Sequence, residues 1–116
     1  MITLICGYPR AGKTTFSERF KKAIHLDTDG LYDGVLRKTK HRTDDVVVEG
    51  VYNRQRQRMA LLSAYKGEGC RCIWIMTSKE IRQQRTGRRI HDVPFEPPTY
   101  SEGWDVIIII RSNSYA

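Results

Sequence analysis

The stretch Gly7-Tyr8-Pro9-Arg10-Ala11-Gly12-Lys13-Thr14 constrains this chain more than any other feature. It follows the apolar run "ITLIC" and precedes the amphipathic "FSERFKKAI", so two glycines and a lysine stand where a strand should turn into a helix. The pattern is G-x-x-x-x-G-K-[ST], and a strand before with a helix after is the context in which it carries a mechanism. Glycines let the backbone wrap an anion with its N–H groups pointing inward, and the starting helix adds the positive end of its dipole. A bland glycine turn is the alternative reading.

On the first reading, Gly7, Arg10, Ala11, Gly12, Lys13, Thr14 and Thr15 cradle a nucleoside triphosphate. Lys13 would bridge the β- and γ-phosphates and Thr14 would ligate Mg²⁺, so a nucleoside triphosphate with Mg²⁺ is the expected cofactor, with ATP and GTP both open at this point. The motif does not say where the phosphate goes.

The rest of the chain alternates in the same way. "ITLIC" (2–6), "AIHL" (23–26), "VVVE" (46–49), "CIWIM" (72–76) and "VIIII" (106–110) are short, continuous apolar runs, as parallel strands covered on both faces are. Between them lie "GKTTFSERFKKA", "GLYDGVLR", "NRQRQRMALLSAYK" and "SKEIRQQRTGRR" with helical patterning. The alternation predicts an α/β domain with right-handed crossovers. "KTKHRTDD" reads as an exposed loop, and the three prolines of "DVPFEPPTYSEG" exclude a helix there.

At 116 residues one domain spanning 1–116 is expected, so any ligand site must share its core. No run approaches the ~18 apolar residues of a membrane span, and the N-terminus lacks a basic leader, which makes a cytoplasmic address and no membrane partner the default. Cys6, Cys70 and Cys72 are odd in number and lack further ligands at zinc-like spacing, which favours buried reduced thiols. Three isolated histidines, His25, His41 and His91, show no metal spacing. Lys and Arg exceed Asp and Glu by 20 to 13, and this surplus of +7 favours a polyanionic partner over a merely solvated basic surface.

Ligands of open α/β sheets bind outside the carboxyl ends of the strands, so the polar residues that end apolar runs are the candidates for chemistry. In "HLDTDGLY", Asp29 is placed as the group that accepts or orients the proton of an attacking hydroxyl, and Asp27 as a helix cap, with the exchanged roles left open. In "VVVEG", Glu49 stands where the acid of a Mg²⁺ shell is expected, with a local cap or salt bridge as the alternative.

Arginines supply the third group. In "KEIRQQRTGRR", Arg82, Arg85 and Arg89 recur at helical spacing with Arg88 beside them, and like charges so placed repel unless an anion lies among them. Guanidinium groups match phosphate oxygens bidentately, so this segment is expected to form a phosphate-facing lid, with a solvated cationic face as the alternative. In "NRQRQRMALLSAYK", Asn53 is an expected helix cap, Arg54, Arg56 and Arg58 are surface or substrate residues, and Met59, Leu62 and Tyr65 are core-like.

With these residues in hand the chain resembles the P-loop kinases related to phage polynucleotide kinase, an AAA-type ATP-binding family. The resemblance rests on "GYPRAGKTT", "LDTDGLY", "VVVEG" and "RQQRTGRR" in that order, with "FEPPTYSEGWD" before the last strand. It implies a five-stranded parallel sheet of order 2-3-1-4-5 with helices on both faces. It also implies Lys13 and Thr14 at phosphate and Mg²⁺, Asp29 as general base, and Arg85 or Arg89 at the transition-state charge. Three departures stand out: the strand-end acid is Glu49 where Asp is usual, Tyr32 stands where the resemblance implies a substrate-phosphate arginine, and "RTGRR" runs almost directly into "VPFEPP", which shortens the lid and opens the acceptor side.

The expected activity is ATP- and Mg²⁺-dependent phosphorylation of a hydroxyl on nucleic acid, DNA above all, at a 5′-hydroxyl end or a hydroxymethylated base such as 5-hydroxymethyluracil. A kinase for a nucleoside, sugar or antibiotic is the rival among enzymes. A nucleotide-dependent switch or binding module is the rival outside them, although the chain end "IIIIRSNSYA" offers no N-K-x-D guanine signal.

Overall fold

The computed structural model describes residues 1–20, 24–27, 45–65 and 67–112. The elements run β1 (Ile2–Cys6), α1 (Lys13–Ser17), β2 (Ile24–Asp27), β3 (Val46–Gly50), α2 (Gln55–Ala64), β4 (Cys70–Thr77), α3 (Lys79–Thr86), a short 3₁₀ turn (Tyr100–Glu102) and β5 (Val106–Ser112). The result is an α/β fold on a parallel sheet. Four parallel pairings join the strands in the order β2-β3-β1-β4-β5, which puts β1 at the centre.

The alternation of side chains along each strand sorts the core into two layers. Ile2, Leu4, Cys6, Val46, Val48, Cys70 and Cys72 pack on one face with Leu61 of α2, with Tyr65 just past its end and with Trp104. Ile5, Val47, Ile73 and Ile75 pack on the other with Ala11 and with Phe16 of α1. β1 is buried at every position, as a central strand covered on both faces must be.

Three sequence expectations are corrected. The helix expected over 12–23 closes early: α1 ends at Ser17, after which the N–H groups of Arg19 and Phe20 bond three residues back, to Phe16 and Ser17. On α2 the buried residues are Arg58 and Leu61, continued by Tyr65 at its C-cap, while Met59, expected in the core, is 45% exposed. The "VIIII" strand is not covered on both faces, because β5 lies at the sheet edge with β4 as its one paired neighbour and leaves Val106, Ile108 and Ile109 exposed. The helix expected from "GLYDGVLR", the loop "KTKHRTDD" and Asp29 lie outside the described residues.

Cys6 and Cys72 sit on neighbouring strands with sulfurs 3.7 Å apart, both buried and free. Their mutual hydrogen bond, together with burial, pushes the Cys72 thiol far above its ordinary range. Among the described residues no helix is long and apolar enough to cross a membrane.

Candidate phosphate site

The chain leaves β1 at its carboxyl end and turns through Gly7 (φ 155°), Arg10 (φ 66°) and Gly12 (φ 104°) before α1 begins at Lys13. Gly7 is fixed by space as well as by backbone angle. A Cβ there would lie 2.7 Å from the Ile75 carbonyl oxygen, so the loop can press onto β4 only with no side chain at that point. Thr77, at the end of β4, donates its hydroxyl to the Ala11 carbonyl at 2.7 Å and pins the loop from the far side.

Lys13 folds back over the loop it terminates. Its ammonium donates to the carbonyls of Gly7 at 2.8 Å and Tyr8 at 3.1 Å. Thr14, one residue on, donates its hydroxyl to Glu49 Oε1 at 2.7 Å. That bond joins the start of α1 to the end of β3, and Glu49 itself is buried. The register continues outward, because Asp27 at the end of β2 pairs with Glu49. Two acidic residues and a threonine therefore belong to one carboxyl edge of the sheet, where the strand-end rule places chemistry.

The arginines of the "KEIRQQRTGRR" segment part company. α3 starts at Ser78, whose side chain accepts the Ile81 N–H, and stops at Thr86 with Gly87 in the left-handed conformation (φ 72°). Arg88 and Arg89 thus lie beyond the helix and are exposed, which removes Arg89 from the helical face it was expected to share with Arg82 and Arg85. Arg82 is buried and already paired: Nη1 and Nη2 each reach Asp92 at 2.7 Å, Nε donates to the Thr77 carbonyl at 3.0 Å, and the guanidinium lies 4.5 Å from the Tyr8 ring centre. The hydrogen bonds from Arg82 hold the Asp92 carboxyl below its ordinary range.

Arg85 differs from both. Its Nη1 donates to the Arg10 carbonyl at 2.7 Å, while its Nη2 is buried without a hydrogen-bond partner. A buried donor left unpaired is costly, and such a group calls for an explanation. The cavity it borders supplies one: about 330 Å³, lined by Arg10, Gly12, Lys13, Thr14, Thr15 and Arg85.

These residues suit a triphosphate with its cation. Cationic groups on Lys13, Arg10 and Arg85 line the cavity, and Thr14 beside Glu49 is an oxygen donor pair of the hard type Mg²⁺ takes. Among the described residues no three His, Cys, Asp or Glu side chains gather as a metal cluster. A Mg²⁺ here would therefore share its shell with phosphate oxygens and water.

Sequence reasoning missed two carboxylates that decide arginine roles. Glu102 binds the fully buried Arg58 at Nε (2.7 Å) and Nη2 (3.0 Å), and Arg58 also donates to the carbonyls of Tyr52 and Pro97. Arg58 is thus a core clamp and not a surface residue. Burial pushes the Glu102 carboxyl up, but hydrogen bonds from Arg58, Trp104 and Thr99 outweigh it and hold the group below its ordinary range. α2 is capped at Arg54, whose N–H is taken by Gln57, while Asn53, expected as the cap, donates to the Pro94 carbonyl. Thr77 was findable by the strand-end rule. Asp92 and Glu102 carry no local signal, because their partners lie 10 and 44 residues away.

No family model matches the chain, and no curated protein matches it. Solved structures do. The chain is similar to APE1195, at 19% identity with a TM-score of 0.64, over 93% of this chain and 83% of that one. It is also similar to a "putative kinase" from Chloroflexus aurantiacus, at 11% identity with a TM-score of 0.67, over 97% of this chain and 88% of the other. The fold, in nearly its full length, is one that a kinase-like protein also uses.

Proposed function

We propose that this chain is a P-loop kinase that uses ATP and Mg²⁺ to phosphorylate a hydroxyl on nucleic acid, DNA above all. The observation that carries the phosphotransfer reading is the buried, unpaired Nη2 of Arg85 beside Gly12, Lys13, Thr14 and Thr15. A nucleotide-binding module needs the loop alone. Phosphoryl transfer gains, in addition, from a cation of a separate element at the phosphate that moves.

The roles follow from position. Lys13 and the loop N–H groups hold the β- and γ-phosphates, Thr14 and Glu49 hold the Mg²⁺ shell, and Arg85 meets the charge that develops on the transferring group. Bound Mg²⁺ supplies neutralisation of the phosphate oxygens. Arg89, exposed past the helix end, is a second and outer arginine. Asp29, two residues beyond the end of β2, is the general base, a role that comes from the resemblance. The acceptor oxygen forms a bond to the γ-phosphorus, the bond from that phosphorus to the bridging oxygen breaks, ADP leaves with the electron pair, and Asp29 takes the hydroxyl proton.

The net charge of +7 favours a polyanionic acceptor. The test is label transfer from γ-labelled ATP to a 5′-hydroxyl oligonucleotide, DNA containing 5-hydroxymethyluracil, mixed nucleosides, or water, with Asp29→Asn alongside. Label on DNA that is lost in the variant is the expected result. Label on nucleosides alone would replace the acceptor class, and bound ATP with no transfer would leave only a binding module.

A further inference from the structure

A second cavity of about 340 Å³ lies against the same loop, walled by Tyr8, Pro9, Val51, Ile90 and Val93. It shares Arg10 with the phosphate cavity. The position of Lys13 fixes which end of the triphosphate it adjoins. The ammonium that bridges the β- and γ-phosphates is held over the carbonyls of Gly7 and Tyr8, so the terminal phosphate belongs at that end of the loop. Tyr8 and Pro9 are the next residues, and they form the wall of the second cavity.

The wall is set in advance. The Tyr8 hydroxyl donates to the Val93 carbonyl at 2.5 Å, and its ring meets the edge of Phe95 at 5.2 Å. The charges that border the cavity, Arg82 and Asp92, neutralise each other. Among the described lining residues, Arg10 and His91 are the remaining basic side chains and Thr86 adds a hydroxyl, while Tyr8, Pro9, Val51, Ile90 and Val93 offer a flat uncharged ring aliphatic and aromatic surface. The volume is at the small end of the ~300–1,000 Å³ of ligand pockets, enough for one base and not for a stacked run.

Resting on the kinase reading above, we propose that this second cavity is the acceptor subsite and takes one unstacked nucleobase. That nucleotide's hydroxyl then faces the terminal phosphate across Arg10. A base within a duplex cannot enter without leaving its stack, so single-stranded acceptor is preferred over the same sequence in duplex.

The probe is the deoxynucleoside of 2-aminopurine, titrated with ATP bound, against wild type, Ile90→Trp, which fills the cavity, and Val93→Trp at its exposed rim. Quenching on the wild-type protein, weakened about tenfold or more in Ile90→Trp while ATP affinity is unchanged, is the expected result. Should Ile90→Trp melt early, Val93→Trp carries the same comparison. Unchanged probe binding in both well-folded variants, or no quenching by the wild type, overturns the subsite. The kinase reading fails separately, on absence of label transfer from ATP to any acceptor, because base binding is read here without transfer.

Discussion

Arg58 on α2 and Arg85 on α3 are both arginines inside short basic helices, and they do opposite work. Arg58 is fully buried with every described bond made within the protein, to Glu102, Tyr52 and Pro97. Arg85 spends one nitrogen on the loop and keeps another buried and unpaired at the cavity. The difference is the presence or absence of a carboxylate, and it teaches that an arginine's role is set by what the fold brings to it from elsewhere. Arg82, with Asp92 as its partner, falls in the first class although it sits on the same helix as Arg85.

The largest expected effect is on catalysis. Arg85→Ala should lower label transfer by about 10³-fold or more, in the range of a cation at a transferring phosphate, and leave the melting temperature near wild type. A melting loss with full activity would move Arg85 into the class of Arg58.

Next is the converse. Arg58→Ala leaves the Glu102 carboxylate buried without its cation and should cost about 3–5 kcal/mol of stability, read by denaturant unfolding. Arg58→Met with Glu102→Gln, which removes both charges, should recover part of that loss.

A smaller effect is the acid limb of stability. Glu102 and Asp92 both have folded pKa values below their unfolded ones, so the unfolded chain binds more protons as pH falls. The stabilisation is complete above the ordinary carboxylate range of about 4 and drains away as pH drops through the lower folded values. Glu102→Gln should flatten this limb in a pH series of melting curves. The smallest effect is that of Arg89→Ala, which should change transfer by no more than about tenfold, since an exposed charge is screened by water and salt.

How much was legible follows the same division. Features encoded by neighbours in sequence could be read: the glycine-bearing turn from β1 into α1 and the strand runs. Thr14 and Glu49, 35 residues apart, were each picked out singly, and the 2.7 Å bond between them was not. Contacts made over long separations could not. Nothing near Arg58 announces Glu102, and nothing near Arg82 announces that it is already paired. The "VIIII" run misled because hydrophobicity alone does not distinguish a central strand from an edge, and only the pairing of β5 with β4 decides it. The end of α3 was written in Gly87, a residue whose left-handed conformation stops a helix, but the run of arginines continued past it and masked the stop.

The paired thiols directly beneath the cradle turn the central strands into their own clock. Cys6 immediately precedes Gly7, and both it and its neighbour Cys72 are fully buried. A thiol reagent can therefore modify this pair only during moments when β1 and β4 separate, and the modification rate counts those moments. A ligand that grips the loop from above must slow the count, so the time course of thiol labelling with and without ATP measures how firmly the nucleotide holds the centre of the sheet closed.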